Sequence, residues 1–173
     1  MRRLVPILVA LLPVLGLVTP VSAGPAGGIN WRAWDLGLAE AKASGRPVMV
    51  DVYTGWCGWC RRMESDVYAR PEIRDYLSRN FVTVKLDAEG SGPATFEGRG
   101  FNARSLAARL GVSGYPTTIF LRPAGDHPVS VPGYVEADRF LLLLRYVNEG
   151  HLEAGVPFQE FMKRERAAAA GPP

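Results

Sequence analysis

Apolar and polar positions along this chain switch between a helical and a strand-like rhythm, and the switches mark its elements. Trp31, Trp34, Leu38 and Ala41 recur at intervals of three and four, which predicts a helix capped by Asn30 and ending near Ser44-Gly45. Pro47 to Tyr53 is a short, valine-rich run of the kind buried in a parallel sheet. A helix is predicted from Cys57 or Gly58 through Glu64, and another from Pro71 to about Arg79, since proline suits a first helical turn. Phe81 to Leu86 is the next strand. Strand, helix and strand in that order specify a right-handed crossover between parallel neighbours.

Residues 88–101, rich in Gly and Pro, read as a loop, after which Asn102 caps a short helix running through Leu110. Thr117 to Arg122 and Val129 to Val131 are strands joined by a turn containing Gly125-Asp126, which predicts a hairpin. The last firm helix runs from about Glu136 to Glu149, with Phe140, Leu141, Leu144 and Val147 on one face and Gly150 as its stop. Phe158, Phe161 and Met162 then form one apolar turn, and residues 167–173 are expected to fray. No internal repeat occurs.

The N-terminus has a different character. Met1-Arg2-Arg3 is a short positive start, Leu4 to Val18 is mostly apolar, and Val21-Ser22-Ala23 offers small residues for a peptidase. Residues 1–23 read as a Sec-type secretory signal cleaved after Ala23, because the apolar run is shorter than the roughly 20 residues of a membrane span. Residues 24–30, rich in Gly and Ala, are a flexible lead-in. The organisation is then signal 1–23, lead-in 24–30, one domain at 31–150 and a partly disordered extension at 151–173.

Composition, 47% hydrophobic and 21% charged, excludes a disordered chain, a collagen or a coiled coil. Removing Arg2 and Arg3 with the signal lowers the formal net charge from +3 to +1. Nucleic acid is therefore excluded as a partner on electrostatic grounds. The domain is expected to be a monomer, with the membrane touched only through an uncleaved signal.

The chain has two cysteines, Cys57 and Cys60. A bridge across so short a loop removes little entropy from the unfolded chain, so the pair does not exist to staple the fold. At a helix N-terminus, unpaired amides and the helix dipole favour a thiolate at Cys57, the attacking nucleophile. Cys60, one turn further in and more buried, then resolves the mixed disulfide. Half of a zinc site is the competing reading, but the only further candidates, His127 and His151, fit no common zinc module. A haem attachment site is excluded because Arg61 stands where histidine is required.

Trp56-Cys57-Gly58-Trp59-Cys60 after the Val-Asp-Val-Tyr strand, Gly114-Tyr115-Pro116-Thr117 ahead of the Thr-Ile-Phe-Leu strand, and Gly133 after the hairpin resemble the signature segments of the thioredoxin family. Arg46-Pro47-Val48-Met49 and the Gly133-Tyr134 pair before Ala137-x-x-Phe140 are similar to the periplasmic C-terminal domain of the transmembrane thiol:disulfide interchange reductant. The resemblance implies an α/β fold, a three-layer α/β/α sandwich with a mixed central sheet. It also implies that Asp51 relays a proton from Cys60 and that Pro116 lies in a cis peptide facing the cysteines. Trp56, Gly58, Trp59, Tyr115 and Pro116 would bind an extended substrate, and Lys85 would pair with Asp51.

The reading is an exported, periplasmic thiol-disulfide oxidoreductase that reduces protein disulfides. It needs no cofactor beyond the Cys57–Cys60 disulfide, and an electron donor such as a membrane thiol reductant would recharge it. A disulfide oxidase or isomerase is one alternative, because Gly58-Trp59 replaces the usual Gly-Pro between the cysteines and leaves the redox potential open; a redox-inactive peptide-binding or chaperone module that holds extended peptides in the groove around Pro116 is the other. Phe96, Arg99 and Phe101 of the 88–101 loop either border the active site or belong to an idle insertion.

Overall fold

The structure, a computed structural model, describes residues 28–169. The expected signal with its cleavage point, most of the lead-in and the last four residues lie outside that range.

Four strands form a mixed sheet in the order β2-β1-β5-β6. β1 (Val48–Tyr53) runs parallel to β2 (Val82–Asp87) and antiparallel to β5 (Thr117–Leu121), which pairs with β6 (Val129–Pro132). Helices cover both faces, as the crossover and the valine-rich strands require. Alternation along β1 separates two cores. Val48, Val50 and Val52 face α1 (Trp34–Ser44) and α4 (Ala103–Arg109). Met49 joins Phe120 in the opposite core, against α3 (Pro71–Asn80) and α5 (Ala137–Asn148). α2 (Gly58–Arg62) leads without a break into a π-helical segment, Met63–Tyr68, whose Met63, Val67 and Tyr68 are buried there too.

Several local expectations hold. Asn102 caps α4, accepting from the Ser105 N–H at 2.8 Å, while the Ser105 hydroxyl oxygen accepts from the Asn102 N–H. Gly150 sits at φ 77°, where a left-handed residue can end α5. Gly37 lets α1 approach the sheet closely, since a Cβ there would stand 2.2 Å from Val84 Cγ2.

Three expectations need correction. Asn30 is not a helix cap: its carbonyl accepts the Thr83 hydroxyl at 2.9 Å, and residues 30–32 run along the outer edge of β2 through an Arg32–Val84 bridge. Pairing that edge outweighs a capping hydrogen bond, so the helix begins at Trp34 with Ala33 as its cap. The 88–101 segment is not a loop throughout but contains a hairpin, β3 (Pro93–Phe96) and β4 (Arg99–Asn102). Its two-residue turn, Glu97-Gly98, has positive φ at both positions (50° and 73°), the geometry that matches strand twist. Finally, the apolar turn at Phe158 is the start of a full helix, α6 (Phe158–Ala169). Phe161 and Met162 are buried, Tyr146 packs on Phe158 with centroids 5.1 Å apart, and Glu165 pairs with Arg145. Ala167 to Ala169 extend it rather than fray, alanine being the best helix former.

Candidate active site

β1 delivers the chain to the site. The Cys57 N–H donates to the Thr54 carbonyl at 3.2 Å, turning the strand into the helix. Cys57 occupies the N-cap of α2 with extended backbone (φ −70°, ψ 110°), and Cys57 and Cys60 are joined as a disulfide with Cα atoms 5.3 Å apart. The Cys60 N–H donates to Cys57 Sγ at 3.1 Å. In the dithiol form that N–H and the helix's first-turn amides favour a thiolate at Cys57. The expected difference in burial is absent. Cys57 is 4% and Cys60 6% exposed, because the bond holds both sulfurs in one place.

Two indoles flank the pair in solvent, Trp56 at 66% exposure and Trp59 at 54%. Trp56 meets Tyr115 edge-on at 6.0 Å between centroids, drawing the turn before β5 against the cysteine segment. The Tyr115–Pro116 peptide is cis, and the buried Pro116 accepts the Gly133 N–H at its carbonyl, at 2.8 Å. Trp59 lies 5.5 Å from Tyr134 and under the Arg62 guanidinium, also 5.5 Å away. Gly58 is exposed. Tyr134 thus stands beside Trp59 at the rim, a place that its Gly-aromatic pattern in the sequence does not specify.

On the face of β1 that Met49 shares, the sheet carries a polar row. Strand register sets Asp51 opposite Lys85 on one side and Thr118 on the other. Asp51 is 2% exposed; its Oδ2 is 3.7 Å from Lys85 Nζ, and its Oδ1 accepts the Tyr68 hydroxyl at 3.2 Å. Lys85 also contacts Glu64 and stands 5.0 Å over the rings of Trp31 and Tyr53. Glu64 and Tyr68 escaped the sequence reading, yet Cys60, Glu64 and Tyr68 recur every four residues along one helical face, which was a usable signal.

Burial pushes the Asp51 pKa up from 3.8 to about 6, against the opposing pull of Lys85 and the Tyr68 hydroxyl. The unfolded chain therefore ionises at lower pH than the folded one. Stability present below about pH 4 is lost as pH rises toward 6, and the buried anion costs the fold on the order of 3 kcal/mol at neutral pH. Asp51→Asn is expected to raise the unfolding free energy at pH 7 by up to that amount and to match the native protein near pH 4. Urea denaturation at the two pH values checks this, and a loss of stability at pH 7 would contradict it.

The family model for thioredoxin-like domains matches residues 34–148. The chain belongs to that family. Among its relatives, the thiol:disulfide interchange protein DsbD of Ralstonia nicotianae is 34% identical over 112 residues, covering 64% of this chain and 17% of that protein. DsbD of Escherichia coli is 31% identical over 113 residues, 64% of this chain and 18% of that protein. The chain therefore spans less than a fifth of the length of these relatives. Among solved structures, a thioredoxin from Thermus thermophilus is similar with a TM-score of 0.57 and 30% identity, over 70% of this chain and 88% of that one. Fold and cysteine pair together give this thioredoxin-like domain the constitution of a thiol-disulfide oxidoreductase.

The remaining expectations concern its periphery. In the 88–101 segment Phe96 is buried against Trp34 and beneath Arg109, while the Trp34 indole N–H donates to the Thr95 carbonyl at 2.8 Å. The hairpin is thus fastened to α1 and α4. His127 sits beside Arg122 and Asp126, and His151 packs between Tyr146 and Phe161. Among the described residues no group of three His, Cys, Asp or Glu is placed to hold a metal ion.

Proposed function

We propose that the chain is an exported thiol-disulfide oxidoreductase that reduces protein disulfides through a mixed disulfide on Cys57. The observation that carries this reading is the Cys57–Cys60 disulfide at a helix N-terminus between exposed indoles, following a strand that holds a buried carboxylate, Asp51. In the dithiol form, the Cys57 thiolate attacks one substrate sulfur, the substrate S–S bond breaks, and the departing thiolate takes a proton. Asp51, ionised at neutral pH with a pKa of about 6, accepts the Cys60 proton. The Cys60 thiolate then attacks Cys57 Sγ, re-forming the internal disulfide and releasing the second substrate thiolate. Two electrons pass to the substrate and are carried by the cysteine pair itself. A thiol reductant, in this reading one housed in the membrane, restores the dithiol.

Trp56, Gly58, Trp59, Tyr115 and Pro116 form the surface for an extended protein segment, with Tyr134 extending it. Export is supported by the signal-like residues 1–23, and the interchange names of the relatives support protein thiols as substrates. Insulin reduction, monitored with Cys57→Ser as control, tests the activity. A reaction indifferent to that substitution leaves a peptide-binding module as the reading.

Direction is tested by equilibrating the couple with glutathione. A reductant is expected to have a potential at or below about −220 mV, the upper end of the glutathione range, whereas a value near −120 mV would assign an oxidase.

A further inference from the structure

Tyr68 is a buried side chain of this site whose chemistry the mechanism above does not use. It stands at the end of the π-helical segment. Its ring is held on two sides, edge-on to Trp31 at 5.3 Å and to Phe140 at 5.7 Å. Its hydroxyl, which also has the Thr118 side chain as a neighbour, donates to Asp51 Oδ1 at 3.2 Å. The other groups facing Asp51 are Lys85 on β2, Thr118 on β5, Tyr53 further along β1, and Glu64 beside Lys85. Lys85 stays 3.7 Å from Oδ2, outside direct hydrogen-bond reach, and its ammonium is shared with Glu64. Tyr68 is therefore the donor committed to the carboxylate. Burial and the Asp51 charge hold its own pKa well above 10, so it stays protonated wherever the protein works.

We propose that Tyr68 is a positioning residue of the resolving step, its hydroxyl orienting the Asp51 carboxylate and favouring the anion that accepts the Cys60 proton. The proposal rests on the reading of Asp51 as that acceptor. In the step itself the Cys60 proton moves to Asp51, the Cys60–Cys57 bond forms, the mixed disulfide breaks, and the substrate leaves as a thiolate. Tyr68 keeps its proton throughout.

The test uses the full chain carrying glutathione on Cys57 and follows glutathione release from pH 5 to 9 in the native protein, Tyr68→Phe and Asp51→Asn. The phenylalanine variant keeps both ring contacts, and a thermal scan confirms that it folds. Losing a hydrogen bond to a charged group is expected to move the pH midpoint up by about one unit, slowing release about tenfold near pH 5 and leaving it unchanged near pH 9. Carbon NMR of the Asp51 carboxyl should show the same upward shift. An unmoved or lowered midpoint, or a slowing independent of pH, overturns the role of Tyr68. If Asp51→Asn itself retains the native rate and midpoint, the acceptor reading fails instead, and the role of Tyr68 goes with it.

Discussion

In a Cys60→Ser variant, insulin-disulfide reduction is expected to fall to the uncatalysed rate while a covalent adduct between substrate and Cys57 accumulates. Cys57, at the N-cap of α2 and receiving the Cys60 N–H, has the surroundings that favour a thiolate. It still attacks when Cys60 is gone. Serine cannot displace the substrate sulfur, so the mixed disulfide waits for outside thiol. A non-reducing gel reads the adduct directly, and dithiothreitol should dissolve it. Cys57→Ser is expected to lose both turnover and adduct. The reverse pattern, trapping on Cys60 when Cys57 is replaced, would exchange the two roles, and turnover by either single variant would remove the mechanism.

The largest effect on stability is expected from Phe140→Ala. Phe140 is fully buried and edge-on to Tyr68, so it pins α5 to the π-helical segment. Truncation removes a ring's worth of buried apolar surface and leaves a cavity that surrounding elements of a two-faced sheet cannot close. The cost is about 3–5 kcal/mol, a large share of the roughly 5–15 kcal/mol that holds a domain together. Melting should fall by about 10 °C. Leu36→Ala serves as the contrast: Leu36 is 68% exposed on α1, and its loss is expected to stay within about 0.5 kcal/mol. Urea denaturation of the oxidised protein checks both, and a Phe140→Ala cost below about 1 kcal/mol would place the core elsewhere.

Local signals were legible where the physics is local. The capping box at Asn102, the stop at Gly150 and Pro71 in the first turn of α3 act within a few residues of themselves. The errors fell where a distant neighbour decides. Asn30 has a good capping side chain, but β2, more than fifty residues away in the chain, takes its carbonyl with the Thr83 hydroxyl and pairs its open edge with Arg32. The 88–101 segment looked like a loop because its strands are short and its turn residues frequent. Glu97-Gly98 is nevertheless the turn of a hairpin, whose strands pair with each other and are tied to α1 through Thr95. The α6 helix carried too little apolar surface to stand alone, and the surface it covers on α5 made it stable.

For the site, the two cysteines three positions apart, following a buried strand and opening a helix, determine the chemistry by themselves. Thiolate formation at a helix start and attack by a second sulfur one turn later are short-range events, encoded in adjacent residues. The surroundings of Asp51 were not so encoded. That Lys85 and Thr118 stand directly opposite it is a matter of strand register, and that Tyr68 reaches it depends on the helix being set over β1 with its ring clamped by Trp31 and Phe140. Register and packing are settled by burying apolar surface over the whole domain, so the company a buried carboxylate keeps, and with it the pH at which it ionises, was decided by the tertiary structure alone.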